Sequence, residues 1–236
     1  MQVSVKEAAQ LLGVADEAIF RLIRQGEIPA RLVGEEYRFN RAELLEWATA
    51  RGMKVSPDLF VEGKKGEESL PSLVEALEAG GVVRELSGAD SLSVLRSVVA
   101  VLELPPEVDR EYLLEVMLAR ESLGSTGIGE GIAIPHVRSP VILQGARPCV
   151  TLCFLAEAID FQALDGKPVD TMFAIVSPSV RVHLHLLSRL GFVLRHEAFK
   201  AALKTRAPTP ELLAVLGEAE ATIGRASPGS AASKPK

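Results

Sequence analysis

"STGIGEGIAIPHV", residues 125–137, sets three glycines two residues apart just ahead of a short apolar run and a histidine. Gly127, Gly129 and Gly131 supply backbone angles that other residues rarely adopt. Ile132 to Val137 is predicted to be a strand, entered beside Pro135 and presenting His136 near its end. Alone, the loop is a weak signal. It lacks the Lys-Ser/Thr ending of a P-loop, and no helix-opening dinucleotide fingerprint follows it. Its meaning depends on what else meets His136.

Two helical patterns supply the answer. Before the loop, "DREYLLEVMLARESLG" places Leu113, Met117 and Arg120 on one stripe, at i, i+4 and i+7. Gly124 then turns the chain into the loop. Arg120 on that stripe either caps helix carbonyls with its guanidinium or faces inward as part of a site. After the loop, "VHLHLLSRLGFVL" gives His183 the neighbours Leu186, Leu187 and Leu190, which places it on the buried face. His185 has Ser188 and Arg189 at the same offsets and is expected on the solvent face. His183 is then either a satisfied core histidine or a partner of His136. Imidazole is a good nucleophile near neutral pH, its ordinary pKa being about 6.5. A phosphoryl group carried on it adds nearly two negative charges. Such a site needs an arginine, a second imidazole and loop amides, here from Ser125, Thr126, Gly127, Gly129 and Gly131. The competing chemistry is a metal site, since His183-x-His185 superficially resembles a ligand pair. On a helix those two side chains diverge, so neither a metal nor a cofactor is expected.

The chain as a whole narrows the classes. Its 236 residues are 47% hydrophobic and 24% charged, enough for a main domain plus a smaller module. The net charge of −5 gives no general affinity for nucleic acid. No apolar run reaches the ~18 residues that span a bilayer, and the polar N-terminus does not read as a signal peptide. Two cysteines, Cys149 and Cys153, make no disulfide framework and read as buried strand residues. A cytoplasmic protein without membrane contact is expected.

Residues 1–52 form a compact unit. Ser4 and Glu7 make a capping box for a helix to about Leu12, and a second helix runs from about Asp16 to Gln25. "IPARLVGEEYRFN" reads as a hairpin around Gly34, and Asn40 with Glu43 caps a third helix carrying Leu44, Leu45 and Trp47. Residues 53–69 read as a linker. From 70 to 216 helices are predicted near 71–79, 91–102, 109–123, 181–194, 196–204 and 209–217, with strands near 132–137, 148–155 and 169–176. "ALDGKPV" makes a hairpin-like turn between the last two strands. Residues 217–236 are expected to be a disordered tail.

"LARESLGSTGIGEGIAIPHVRSP", "DFQALDGKPVDTMFAIVSP" and "HLHLLSRLGFVL" resemble, in order, segments of the EIIA domains of the phosphoenolpyruvate phosphotransferase system. The match is to the fructose/mannitol class and its nitrogen-regulatory relatives, over about residues 70–216. The resemblance implies an α/β fold, a mixed sheet with helices on both faces. It implies His136 as the residue phosphorylated by a small HPr-type carrier, with His183 as second active-site histidine and Arg120 as active-site arginine. Relatives often pass the group to an EIIB cysteine. No such domain follows in this sequence.

"VKEAAQLLGVADEAIFRLIRQGEIPARLVGEEYRFNRAELLEW" resembles an excisionase-type, MerR-like winged helix-turn-helix. The likeness implies DNA binding with residues 16–25 as recognition helix. Against it, residues 1–52 carry seven Lys/Arg and eight Asp/Glu, net −1, with Asp16 and Glu17 at the start of that helix. Arg21, Arg24, Arg31 and Arg38 are the residues able to form a local patch. Docking to a protein, or dimerisation, is the alternative use of the module. The chain thus reads as a regulatory phosphocarrier coupled through this module to a regulatory target, or to DNA. The rival is a scaffold acting by protein contacts alone.

Overall fold

In the computed structural model, residues 2–33, 36–51, 53, 70–137 and 146–223 are described. The N-terminal part begins with strand β1 (Gln2–Ser4), which leads directly into helix α1 (Val5–Leu12). Ser4 and Glu7 close the expected capping box, and Gly13, at φ 65°, ends the helix. Helix α2 (Asp16–Gln25) follows, then β2 (Arg31–Val33), β3 (Glu36–Asn40) and α3 (Arg41–Ala50). The strands form an antiparallel sheet in the order β1-β3-β2. Strand β1 has no sequence signal, being three residues that pair only because β3 passes beside them.

The larger part contains α4 (Leu73–Gly80), β4 (Val82–Leu86), α5 (Ser91–Val101) and α6 (Arg110–Ser122). Two short strands follow, β5 (Gly127–Gly129) and β6 (Ile132–Ala133), and then the long β7 (Cys149–Ile159) and β8 (Val169–Val176). Helices α7 (Val180–Val193), α8 (Glu197–Lys204) and α9 (Thr209–Glu220) complete it. The sheet order is β4-β7-β8-β6-β5, with β4–β7 and β6–β8 parallel and the other pairs antiparallel.

Alternation along β7 explains the layers. Val150, Leu152 and Phe154 face one core with α4, α7, α8 and α9, while Cys149, Cys153 and Leu155 face the other with α5 and α6. The cysteines are buried strand residues, as the sequence implies, and burial pushes their thiols up to about 11 and about 12. Phe39, Leu44 and Leu45 of the N-terminal part belong to the same apolar cluster as Leu187 and Leu190 of α7. The sequence treats residues 1–52 as a separate unit; in the structure α3 packs on α7 and β5, and the two parts share a core.

Three expectations need correction. Strand β4 was not foreseen, because "VVREL" is short and carries Arg84 and Glu85; it pairs with β7 in parallel. The tail expected from 217 starts too early, since α9 continues to Glu220 and buries Ala219 and Ile223. The Glu220 carboxylate accepts the N–H groups of Leu73 and Val74 at 2.7 and 3.4 Å and pairs with Arg189 at 2.9 Å. His185 is buried, not on the solvent face, and its Nε2 lies 2.8 Å from Pro71 O. Helix α7 is covered on two sides, so position on the helix did not reveal exposure. Of the linker expected at 53–69, Met53 is described, its carbonyl accepting from Arg195 at 3.4 Å; residues 54–69 and the rest of the tail lie outside the described residues.

Candidate functional site

His136 continues the line of β6 and bridges to Ile175 of β8. Its Nδ1 lies 2.7 Å from Ile134 O, an acceptor, which assigns a proton to Nδ1. The ring is only 3% exposed. His183 of α7 stands beside it with ring centroids 5.0 Å apart, and Ser177 Oγ sits 3.4 Å from its Nδ1. Burial first, then the neighbouring charge of His136, pushes the His183 imidazole down to about 3. His183 is thus neutral in the folded protein. Arg120, in the last turn of α6, donates from one nitrogen to Gly124 O at 2.8 Å. Its other nitrogen turns into the site. The Gly124 carbonyl lies just past the helix end, so Arg120 ties the helix to the start of the glycine loop instead of capping helix carbonyls.

The partner at that second nitrogen is Glu46 of α3, which the sequence did not single out. Its carboxylate lies 2.7 Å from Arg120 Nη2 and 3.0 Å from His136 Nε2. The latter is a close contact without the alignment of a hydrogen bond. Burial pushes the Glu46 carboxyl up, but His136, Arg120 and His183 together outweigh it and hold it down at about 2. Helix α3 carried one readable hint. "RAELLEWATA" spreads apolar and small residues all round instead of along one stripe, the mark of a helix covered on both sides.

The glycine loop has a different role from the one expected. Thr126 N–H is held by Glu121 Oε1 at 2.9 Å and Gly127 N–H by Ser125 Oγ at 3.0 Å, so these amides do not point at His136. Ser125 and Thr126 line the cleft in front of His136. Gly127 lets the chain pass Ala163, whose Cβ would lie 2.7 Å from any Cβ at that position. Gly129 and Gly131, at φ 95° and 80°, form the tight turn between β5 and β6. Through these contacts the loop positions the strand, and the amides of Thr126 and Gly127 are used within the loop.

Glu46, His136 and His183 bring ligand atoms within 4.8 Å of one another, the one such group among the described residues. The Arg120 guanidinium already supplies the cation that this carboxylate requires. His185, bonded to Pro71, points elsewhere, so the His183-x-His185 pair does not converge. In the N-terminal part, Arg31 pairs with Glu43 at 3.3 Å and Arg38 with Glu36 at 2.5 Å, while Arg21 and Arg24 lie exposed on α2. Two of the four arginines of the expected patch are therefore neutralised within the module.

The family model described as "Phosphoenolpyruvate-dependent sugar phosphotransferase system, EIIA 2" matches residues 75–219, and a helix-turn-helix domain model matches residues 3–52. The chain belongs to this EIIA family, whose members are able to carry phosphoryl groups, and bears a helix-turn-helix domain beside it. It is 37% identical to the "Nitrogen regulatory protein" of Pseudomonas aeruginosa over 146 residues, covering 60% of this chain and 91% of that protein. The protein of the same description from Escherichia coli is 36% identical over 123 residues, 51% of this chain and 72% of its own. A solved structure described as a putative PTS IIA domain from Streptococcus pyogenes shares the fold, with TM-score 0.53 and 19% identity, over 64% of this chain and 97% of its own. The chain has the role of an EIIA-type regulatory component, and none of its described helices is long and apolar enough to cross a membrane.

Two predictions arise from the buried histidines. His183 is lowered on folding, so the unfolded chain binds the extra proton between pH 6.5 and about 3. Stability therefore falls as pH drops below about 6.5, by at most about 1.4 kcal/mol per pH unit for that proton. Glu46 adds a loss of the same sign as pH falls from 4.5 toward 2. Urea midpoints measured from pH 7 to 5 should decline, and decline less in a His183→Asn variant. His185→Ala leaves Pro71 O unsatisfied and should destabilise by about 1–3 kcal/mol in thermal or urea melts.

Proposed function

We propose that the protein is a cytoplasmic histidine phosphocarrier, accepting a phosphoryl group on Nε2 of His136 from an HPr-type carrier and reporting its charge state through the N-terminal module. One observation supports this most: His136 is tied through Nδ1 to Ile134 O, so that Nε2 faces the Glu46 carboxylate that Arg120 also holds, with the His183 ring 5.0 Å away. In the reaction the Nε2 lone pair forms the bond to phosphorus as the N–P bond of the donor phosphohistidine breaks. The bonding pair returns to the donor imidazole, and His136 keeps its Nδ1 proton. Arg120 neutralises charge on the transferring oxygens. His183, neutral, donates or accepts a hydrogen bond without adding repulsion against a cationic ring. Leu123 and Leu164, both more than half exposed at the cleft mouth, offer apolar contact to the carrier.

The test is incubation of the full chain with phosphoenolpyruvate, enzyme I and the HPr-type carrier, followed by mass mapping. The expected result is one acid-labile phosphoryl group on His136. An unchanged intact mass, or label on His185 or His196, overturns the assignment. For the module, Arg21 and Arg24 on exposed α2 are the groups left to meet DNA phosphates, which favours a regulatory protein target over tight DNA binding.

A further inference from the structure

A nucleophile that takes its phosphoryl group from another protein must be reachable, yet His136 is 3% exposed. What covers it is the chain's own helix α3. Glu46 and Trp47 line the 350 Å³ cleft in front of the ring, and the Glu46 carboxylate sits between Arg120, which would hold phosphoryl oxygens, and His136, which would carry the phosphorus. Its side chain is 8% exposed, and an acid buried that deeply is stable only where cationic partners meet it. The carboxylate stands 3.0 Å from Nε2, in the space a phosphorus atom bonding to that nitrogen would take, and so blocks the donor's approach.

The contact is a built interface. Gly191 of α7 lacks a side chain where α3 crosses it: a Cβ there would lie 3.0 Å from Thr49 Cγ2. Arg195 reaches Met53 O at 3.4 Å, and the two parts share one apolar cluster. Helix α2 and strand β2 remain outside the contact, with Phe20, Leu32 and Val33 about half exposed or more.

We propose that Glu46 is a resident surrogate for the phosphoryl group, and that the helix-turn-helix module is a lid on the unphosphorylated domain which phosphorylation of His136 expels. The inference rests on His136 being the acceptor. Glu46 and a phosphoryl group cannot share the site, since a carboxylate would stand within about 3 Å of a near-dianion. Transfer requires α3 to lift first. The Nε2 lone pair then bonds to phosphorus as the donor N–P bond breaks, its electron pair returning to the donor ring. Arg120 exchanges Glu46 for phosphoryl oxygens, and the face of α3 carrying Glu46 and Thr49 becomes free for a protein target.

A disulfide lock tests this. A Cβ at 191 would lie 3.6 Å from Thr49 Cβ, within the roughly 3.5–4.5 Å that disulfides span. The full chain with Thr49→Cys and Gly191→Cys, oxidised, should take phosphate on His136 at least about tenfold more slowly than after reduction, because the competent fraction is removed. Phosphorylated carrier and the chemical donor phosphoramidate serve as separate phosphoryl sources. Glu46→Gln without the lock should accept phosphate about tenfold faster than the unaltered chain. Emission of Trp47, the only tryptophan, should shift to the red on phosphorylation of the unaltered chain. Equal labelling of oxidised and reduced forms, or failure of the cysteines to pair, overturns the lid and leaves the acceptor assignment standing. Absence of His136 label from both donors in every form overturns the acceptor assignment, and the lid with it.

Discussion

His136→Ala is expected to abolish phosphoryl acceptance altogether, with intact mass unchanged after full incubation with the donor system. No neighbouring group can substitute. His183 Nδ1 lies 3.4 Å from Ser177 Oγ, and its ring is 1% exposed. His185 is held by Pro71. The variant should stay folded, because Arg120 still pairs with Glu46 and keeps α3 seated. Removing the imidazole leaves a small cavity and an unpaired Ile134 carbonyl, together about 1–3 kcal/mol. Thermal melts should therefore show a modest decrease and a cooperative transition. Residual labelling above background would show that another residue accepts the group.

His183→Ala is expected to slow transfer by about 10²–10³, the usual loss when one preorganised donor is removed from a site sheltered from water. Arg120→Met should be comparable in chemistry but different in appearance. Arg120 holds Glu46 in the seated module, and under the proposed mechanism it would hold phosphoryl oxygens once the module lifts. Its removal weakens the lid as it weakens the transition state, so the observed rate falls less than for His183→Ala. Measured with Glu46→Gln in the background, where no lid charge remains, the two losses should converge. Stopped reactions with phosphorylated carrier provide the rates. Equal losses in both backgrounds would show that Arg120 does not bridge the two states.

Much of this molecule was legible in its residues because local signals were strong. Ser4 with Glu7, Asn40 before α3, and Gly13 and Gly26 mark helix ends by backbone chemistry that needs no distant partner. The long apolar strands β7 and β8 announce themselves because both faces are covered. Where an element depends on its neighbour the signal fails. Two of the five residues of β4 are charged, and Arg84 donates to the carbonyls of Arg206 and Ala207, more than a hundred residues away. His185 looked wet because Ser188 and Arg189 flank it; in the fold Ser188 bonds back to His185 O and Arg189 pairs with Glu220.

The sequence by itself determined the family, the sheet-and-helix class, and the inward placement of His136, His183 and Arg120, because glycine loop, strand and helical stripe are short-range patterns. Only the tertiary structure decided that these groups meet a fourth, Glu46, since the acid lies 74 residues before its arginine and on another module. Nothing local distinguishes a glutamate bound for solvent from one bound for a buried guanidinium. The difference is made by the desolvation of a charge, and desolvation depends on what the rest of the chain brings to cover it.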